Sequence, residues 1–199
     1  MAPPKAVIFD LDGTLTEPLL DFDAMRAEIG LPPGPILEQL AHADAATRAR
    51  ADEILRRHER EAIARATLAD GCAELLARLA TLAIPVAILT RNVREVVDIF
   101  LSTFGFTFAG VYTREDGPHK PSPAGVLALC AKMGVAPAET LVVGDYKFDI
   151  LAGRAAGCRT ALVLTTHSPT PEELPEWGPP DLVVASLREL LPGFATERD

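Results

Sequence analysis

The chain is poor in cysteine, in lysine and in long apolar runs, and each shortage excludes something. Its three cysteines, Cys72, Cys130 and Cys158, are scattered through 199 residues with no CxxC pair. That excludes a structural zinc site built on paired thiolates; buried free thiols in a reducing cytoplasm are expected instead. No stretch approaches the ~20 apolar residues that a membrane-spanning helix needs. The N-terminus, MAPPKAVIFD, has no charged region followed by a long apolar one, so no signal peptide is expected. Positive charge is scarce, with 19 Lys+Arg against 28 Asp+Glu and a net charge of -9. A nucleic-acid partner calls for a basic face, which this balance argues against. A phosphorylated small molecule stays open, because a metal ion can supply positive charge locally.

What is present is enough apolar material for one sizeable core, with 48% hydrophobic residues. Continuous apolar runs at residues 6–9, 85–89, 141–143, 160–164 and 182–184, and a weaker one at 108–112, read as strands covered on both faces. Helical patterns at 72–82, 93–104, 123–133 and 147–156 alternate with them. The alternation predicts an α/β fold, a Rossmann-like parallel sheet with helices on both faces. Gly105, Gly134 and Gly157 fall where a left-handed residue would stop three of these helices. Between residues 17 and 69 no strand is expected. Helices near 22–29, 34–41 and 45–68, the last N-capped by Asp44, make a small helical insertion after the first strand. The core then comprises residues 1–16 and 70–199, and the Pro-rich stretch at 168–180 reads as a surface loop.

Chemistry gathers where the apolar runs end. The stretch AVIFDLDGT drives a strand into Asp10 and Asp12, and Gly13 then breaks it. Two carboxylates that close raise a pKa or demand a cation. In open α/β sheets the C-terminal strand ends are where ligands bind. TLVVGDYKFD repeats the pattern with Asp145 and Asp149, and two such ends make an oxygen-rich pocket suited to Mg²⁺. VAILTRN ends a third strand in Thr90, with Arg91 and Asn92 opening a helix, and a hydroxyl plus helix-start N–H groups suits an anion. GPHKPSP places Lys120 in a loop locked by prolines, in a chain whose only other lysines are Lys5, Lys132 and Lys147.

These motifs, in this order, resemble the haloacid dehalogenase-like superfamily of phosphohydrolases: DxDGT at 10–14, Thr90 after an apolar strand, Lys120 in a loop, and GDxxxD at 144–149. The helical insertion resembles the cap of the phosphoglycolate-phosphatase-like branch. The resemblance implies Asp10 as nucleophile and Asp12 as general acid/base. It implies Mg²⁺ held by the Asp10 carboxylate, the Asp12 carbonyl and Asp145, with Asp149 supporting directly or through water. Thr90, the adjoining Arg91 backbone and Lys120 would bind the phosphoryl oxygens. Asp12 separates the chain from the dehalogenase branch, which lacks that acid. The absence of lysine between Lys5 and Lys120 closes the Schiff-base route of the phosphonatases. The expected activity is Mg²⁺-dependent, cytoplasmic hydrolysis of a small phosphomonoester: phosphoglycolate, a sugar phosphate or a nucleotide monophosphate. A phosphosugar mutase and a non-catalytic phosphometabolite sensor stay open. In the insertion, Phe22 and Met25 are expected to pack the first helix, Arg26 to pack or to meet a substrate anion, and His42 and His58 to lie on helix surfaces.

Overall fold

A computed structural model of the chain describes residues 3–166, 168–170 and 177–194. In chain order the elements are β1 (Ala6–Phe9), α1 (Phe22–Ile29), α2 (Ile36–Leu40), α3 (Ala45–Ile63), α4 (Cys72–Thr81), β2 (Val86–Leu89), α5 (Arg94–Phe104), β3 (Gly110–Tyr112), α6 (Ala124–Met133), β4 (Thr140–Gly144), α7 (Lys147–Ala155), β5 (Arg159–Val163) and β6 (Leu182–Val184). The chain divides into two compact units, one formed by the residues up to Pro18 and from Thr67 onward, the other by Leu19–Ala66.

The larger unit is a parallel six-stranded sheet in the order β3-β2-β1-β4-β5-β6. β1 and β4 lie at its centre and are buried throughout, which is why both read as unbroken apolar runs. From β1 the chain first moves outward through β2 to β3, then returns to build β4, β5 and β6 on the other side. With right-handed crossovers, these opposite directions put α4 and α5 on one face and α6 and α7 on the other. Val126, Leu129 and Cys130 of α6 and Ala152 of α7 accordingly share one cluster with Ile8, Ala87, Leu89 and Val142. The order reverses between β1 and β4, so a crevice opens where these two strands end.

Apart from the third helix of the insertion, strand and helix edges lie within two residues of the expected ones, and Gly105, Gly134 and Gly157 all have left-handed backbones. All three cysteines are free and buried. Two expectations need correction. The third helix of the insertion stops at Ile63, not near 68. Its alanines and arginines favour helix, but the chain must rejoin the sheet unit. Glu17 N–H donates to Thr67 O at 3.0 Å, Ala69 N–H to Leu15 O at 3.0 Å, and Thr16 pairs with Leu68. That tertiary pairing overrides local propensity. The Pro-rich stretch is also more than surface: residues 171–176 lie outside the described residues, but Trp177 is buried against Ile150 and Leu162.

The smaller unit packs Met25, Ile29, Ile36, Leu40, Ala51, Ile54 and Leu55 into its own core. Asp44 caps α3, its carboxylate accepting from Thr47 N–H and Oγ1 at 2.8 Å each. Phe22 is largely exposed, whereas Met25 is buried. The Arg26 guanidinium pairs with Asp23 and donates to Gly34 O at 3.3 Å, both within the unit. His58 Nε2 lies 2.9 Å from Glu28, and His42 is exposed.

Candidate active site

β1 ends at Phe9, one residue before the first acid of DxDGT. Asp10 N–H still donates to Val143 O at 2.9 Å, which fixes Asp10 at the strand end beside β4. The chain then folds over the Leu11 carbonyl, which accepts from the N–H groups of Thr14, Leu15 and Thr16 and from Thr16 Oγ1. The strand therefore breaks before Asp10, not at Gly13, and Asp10 and Asp12 leave the strand's alternation. Gly13 adopts φ +79°, and a Cβ there would lie 2.3 Å from Asp145 Oδ2. The loop can thus press its backbone against the second acidic strand end.

That second end explains its own glycine. A Cβ on Gly144 would lie 2.1 Å from Asp149 Cγ, so the carboxyl group of Asp149 folds back over the last residue of β4. Asp149 sits in the first turn of α7, where its Oδ2 accepts from Tyr146 N–H at 3.1 Å. Asp145 is not the helix N-cap, a position Tyr146 takes. Thr165, just past β5, donates from Oγ1 to Asp145 Oδ2 at 3.4 Å.

Lys120 enters from the loop after β3 and is almost fully buried. Its Nζ lies 2.7 Å from Asp10 Oδ1 and 2.5 Å from Asp149 Oδ1, and so bridges two motifs far apart in sequence. Carboxylate oxygens of Asp10, Asp145 and Asp149 all lie within 4.8 Å of one another. Asp12 is outside this group, though its charge acts on Asp145. Burial first, then the charges of Asp10, Asp149 and Asp12, raise the Asp145 pKa well above the usual carboxylate range. Burial raises Asp149 to about 6 against the opposing pull of Lys120. Burial pushes Lys120 down, but the charges of Asp10 and Asp149 win and its pKa is raised. One ammonium does not balance these acids. A set of oxygen donors crowded enough to raise its own pKa values fits a hard divalent cation such as Mg²⁺.

Thr90 is buried at the end of β2, and its Oγ1 accepts from Asn92 N–H at 3.1 Å. The following helix does not open at Arg91. It begins at Arg94, whose N–H donates to Glu115 Oε2 at 2.8 Å, so the N–H groups next to Thr90 belong to the turn before α5 and not to its first turn. The Arg91 guanidinium donates to Lys120 O at 2.8 Å. Lys147 lies 5.7 Å from the ring centres of Tyr146 and Phe148, and its ammonium does not bridge the acids as that of Lys120 does. Sequence reasoning missed Thr165, His119 and Trp177. The last had a signal, since it is the only tryptophan of the chain, and its ring centre lies 5.1 Å from that of Tyr146, next to Asp145.

This fold, with acids at two adjacent strand ends and a buried lysine between them, defines a hydrolase of the haloacid dehalogenase type. The family profile "Haloacid dehalogenase-like hydrolase" matches residues 7–163, and the chain belongs to that family. Among curated relatives, an N-acetylmuramic acid 6-phosphate phosphatase of Pseudomonas aeruginosa is 29% identical, covering 94% of this chain and 93% of that protein. A phosphoglycolate phosphatase of Xanthomonas campestris is 33% identical, covering 81% of this chain and 83% of that protein. A hydrolase from Pseudomonas syringae of known structure shares the fold, with a TM-score of 0.81 at 24% identity over 94% of this chain and 96% of that one. Among the described residues no helix is long and apolar enough to cross a membrane.

Proposed function

We propose that the protein is a Mg²⁺-dependent phosphatase that hydrolyses a small phosphomonoester through an aspartyl-phosphate on Asp10. The observation that carries this reading is the Lys120 ammonium seated between Asp10 and Asp149, with Asp145 close by. Phosphatase relatives that match most of this chain support it.

The main obstacle in such a reaction is charge: a carboxylate must approach a phosphate dianion. Mg²⁺ held by Asp10, Asp145 and the Asp12 carbonyl, with Asp149 beside it, would neutralise charge on both partners. Lys120 supplies a second, fixed positive charge, and its burial strengthens that charge relative to a solvated lysine. An Asp10 carboxylate oxygen attacks phosphorus, the leaving alkoxide takes a proton from Asp12, and the ester oxygen departs. Asp12 then takes a proton from the water that attacks the phosphoryl-aspartate, which returns Asp10 as carboxylate. Acid–base help of this kind is worth about 10²–10⁴ in rate. Thr90 Oγ1 and the backbone beside it would position the phosphoryl oxygens with Lys120. Phosphoglycolate, a sugar phosphate and a nucleotide monophosphate are the substrate classes to try.

The test is phosphate release from a panel of phosphomonoesters with Mg²⁺ and with EDTA. Release from at least one compound, abolished by EDTA and restored by Mg²⁺, is expected. Specific binding with no turnover, or isomerised product without free phosphate, would overturn the reading.

A further inference from the structure

The backbone of Arg91 stands beside Thr90, where a phosphate contact is expected, and its side chain has partners of its own. Nη1 donates to the carbonyl oxygen of Lys120 at 2.8 Å. The guanidinium lies over the ring of Phe148, 4.3 Å from its centre. His119 Nδ1 lies 2.9 Å from the same Lys120 carbonyl, which places the proton on that nitrogen. The backbone of Arg91 is held in turn, its carbonyl accepting from Arg114 Nη1 at 3.1 Å. Arg91 therefore links three of the four sequence motifs: it follows Thr90, it grips Lys120, and it rests on the neighbour of Asp149.

We propose that Arg91 is a positioning residue, which fixes the Lys120 backbone and thereby holds the Lys120 ammonium between Asp10 and Asp149. The physical need is plain. A lysine reaches its target through a flexible four-carbon stem, and from a free loop its ammonium would sample many positions. Anchoring the carbonyl of that same residue removes the loop's share of the freedom. Arginine suits the task because a planar guanidinium can donate along its edge while its face stacks on an aromatic ring. The inference deepens the phosphatase reading and rests on it for the role of Lys120.

A double-mutant cycle separates positioning from direct phosphate contact. Arg91→Ala should lower kcat about 10²-fold with KM little changed, the cost of a misplaced charge. Arg91→Met, which keeps packing on Phe148 but loses the donor, should behave alike. In a Lys120→Ala background, adding Arg91→Ala should cost less than about threefold, because the side chain it positions is gone. Losses that multiply would overturn the proposal and make Arg91 an independent phosphate ligand. A second readout needs no turnover. By nitrogen-resolved NMR of the metal-free protein, the Lys120 ammonium should exchange with water at least about tenfold faster in Arg91→Ala, while amides of β1 and β4 keep their protection. Unchanged exchange would overturn the positioning role even in an active enzyme. A wild type that hydrolyses nothing would sink the phosphatase reading while leaving this measurement valid.

Discussion

Replacing Gly144 by alanine tests whether the carboxylate cluster depends on close packing at the end of β4. The residue ends a buried parallel strand, and its φ lies outside the left-handed region, so the backbone itself accepts alanine. The obstacle is Asp149. The added methyl would lie 2.1 Å from Asp149 Cγ, 2.3 Å from its Cβ and 2.4 Å from Oδ2, where ordinary contact begins near 3.4 Å. The carboxyl group must retreat by about 1 Å or more, yet it is tied to Tyr146 N–H and to the Lys120 ammonium. A displacement of that size breaks the Lys120–Asp149 contact. Misplacement of about 1 Å in a catalytic array costs about 10²-fold in rate, and overpacking costs about 1–3 kcal/mol of stability. Gly153→Ala is the matched control. Its methyl would meet Thr160 Cγ2 at 2.7 Å and Val142 Cβ at 3.0 Å, in the core and away from the acids. Both variants should lose stability in urea, but only Gly144→Ala should lose kcat/KM on a chromogenic aryl phosphate, with weaker Mg²⁺ activation. Wild-type kcat/KM in folded Gly144→Ala would refute the reasoning.

Three further outcomes follow from the same structure. Asp145 and Asp149 have raised pKa values in the folded, metal-free chain, so between about pH 4 and 6 the folded state holds more protons than the unfolded one. Their contribution is full below the unfolded pKa and is lost as pH rises through the folded one. Metal-free wild type should therefore gain stability relative to Asp149→Asn as pH falls from about 7 to 5, by about 1 kcal/mol, and saturating Mg²⁺ should remove that gain; a gain on raising the pH instead would contradict the assigned shifts. Thr14 Oγ1 is buried with no hydrogen-bond partner among the described residues, so Thr14→Val should be neutral or stabilising by about 1 kcal/mol in urea unfolding; a loss of more than that would reveal a bond to the hydroxyl. Trp177, the only tryptophan, stacks edge-on against Tyr146 beside Asp145, so its fluorescence should follow Mg²⁺ titration with the midpoint seen for activity; a flat titration under activating Mg²⁺ would uncouple the loop from the site.

The sequence was most legible where burial is two-sided. β1 and β4 are apolar because both their faces are covered, and acids at the ends of such runs have only the C-terminal crevice to occupy. Lys120 was legible because its loop is framed by prolines in a chain with few lysines, and the structure buries it against two of the singled-out acids. Packing at a distance was not legible. Nothing local says that Gly144 is glycine because of a side chain five residues later, or that α3 must stop early so that Thr67–Ala69 can pair with Leu15–Glu17. The Arg91 side chain was not legible for a related reason. Its neighbour Thr90 suggested an anion, while its actual partners, the Lys120 carbonyl and the Phe148 ring, come from segments far along the chain.

The central claim is that Asp10 attacks phosphorus, and the most direct measurement is to trap the product of that attack. Enzyme mixed rapidly with an active phosphomonoester and Mg²⁺, then quenched in acid, should carry a phosphoryl group on the peptide containing Asp10. The adduct should be released by hydroxylamine and be absent from folded Asp10→Asn, which should also lack turnover. A wild type that turns over with no trapped adduct at any quench time, or an Asp10→Asn variant that keeps its rate, would contradict the account.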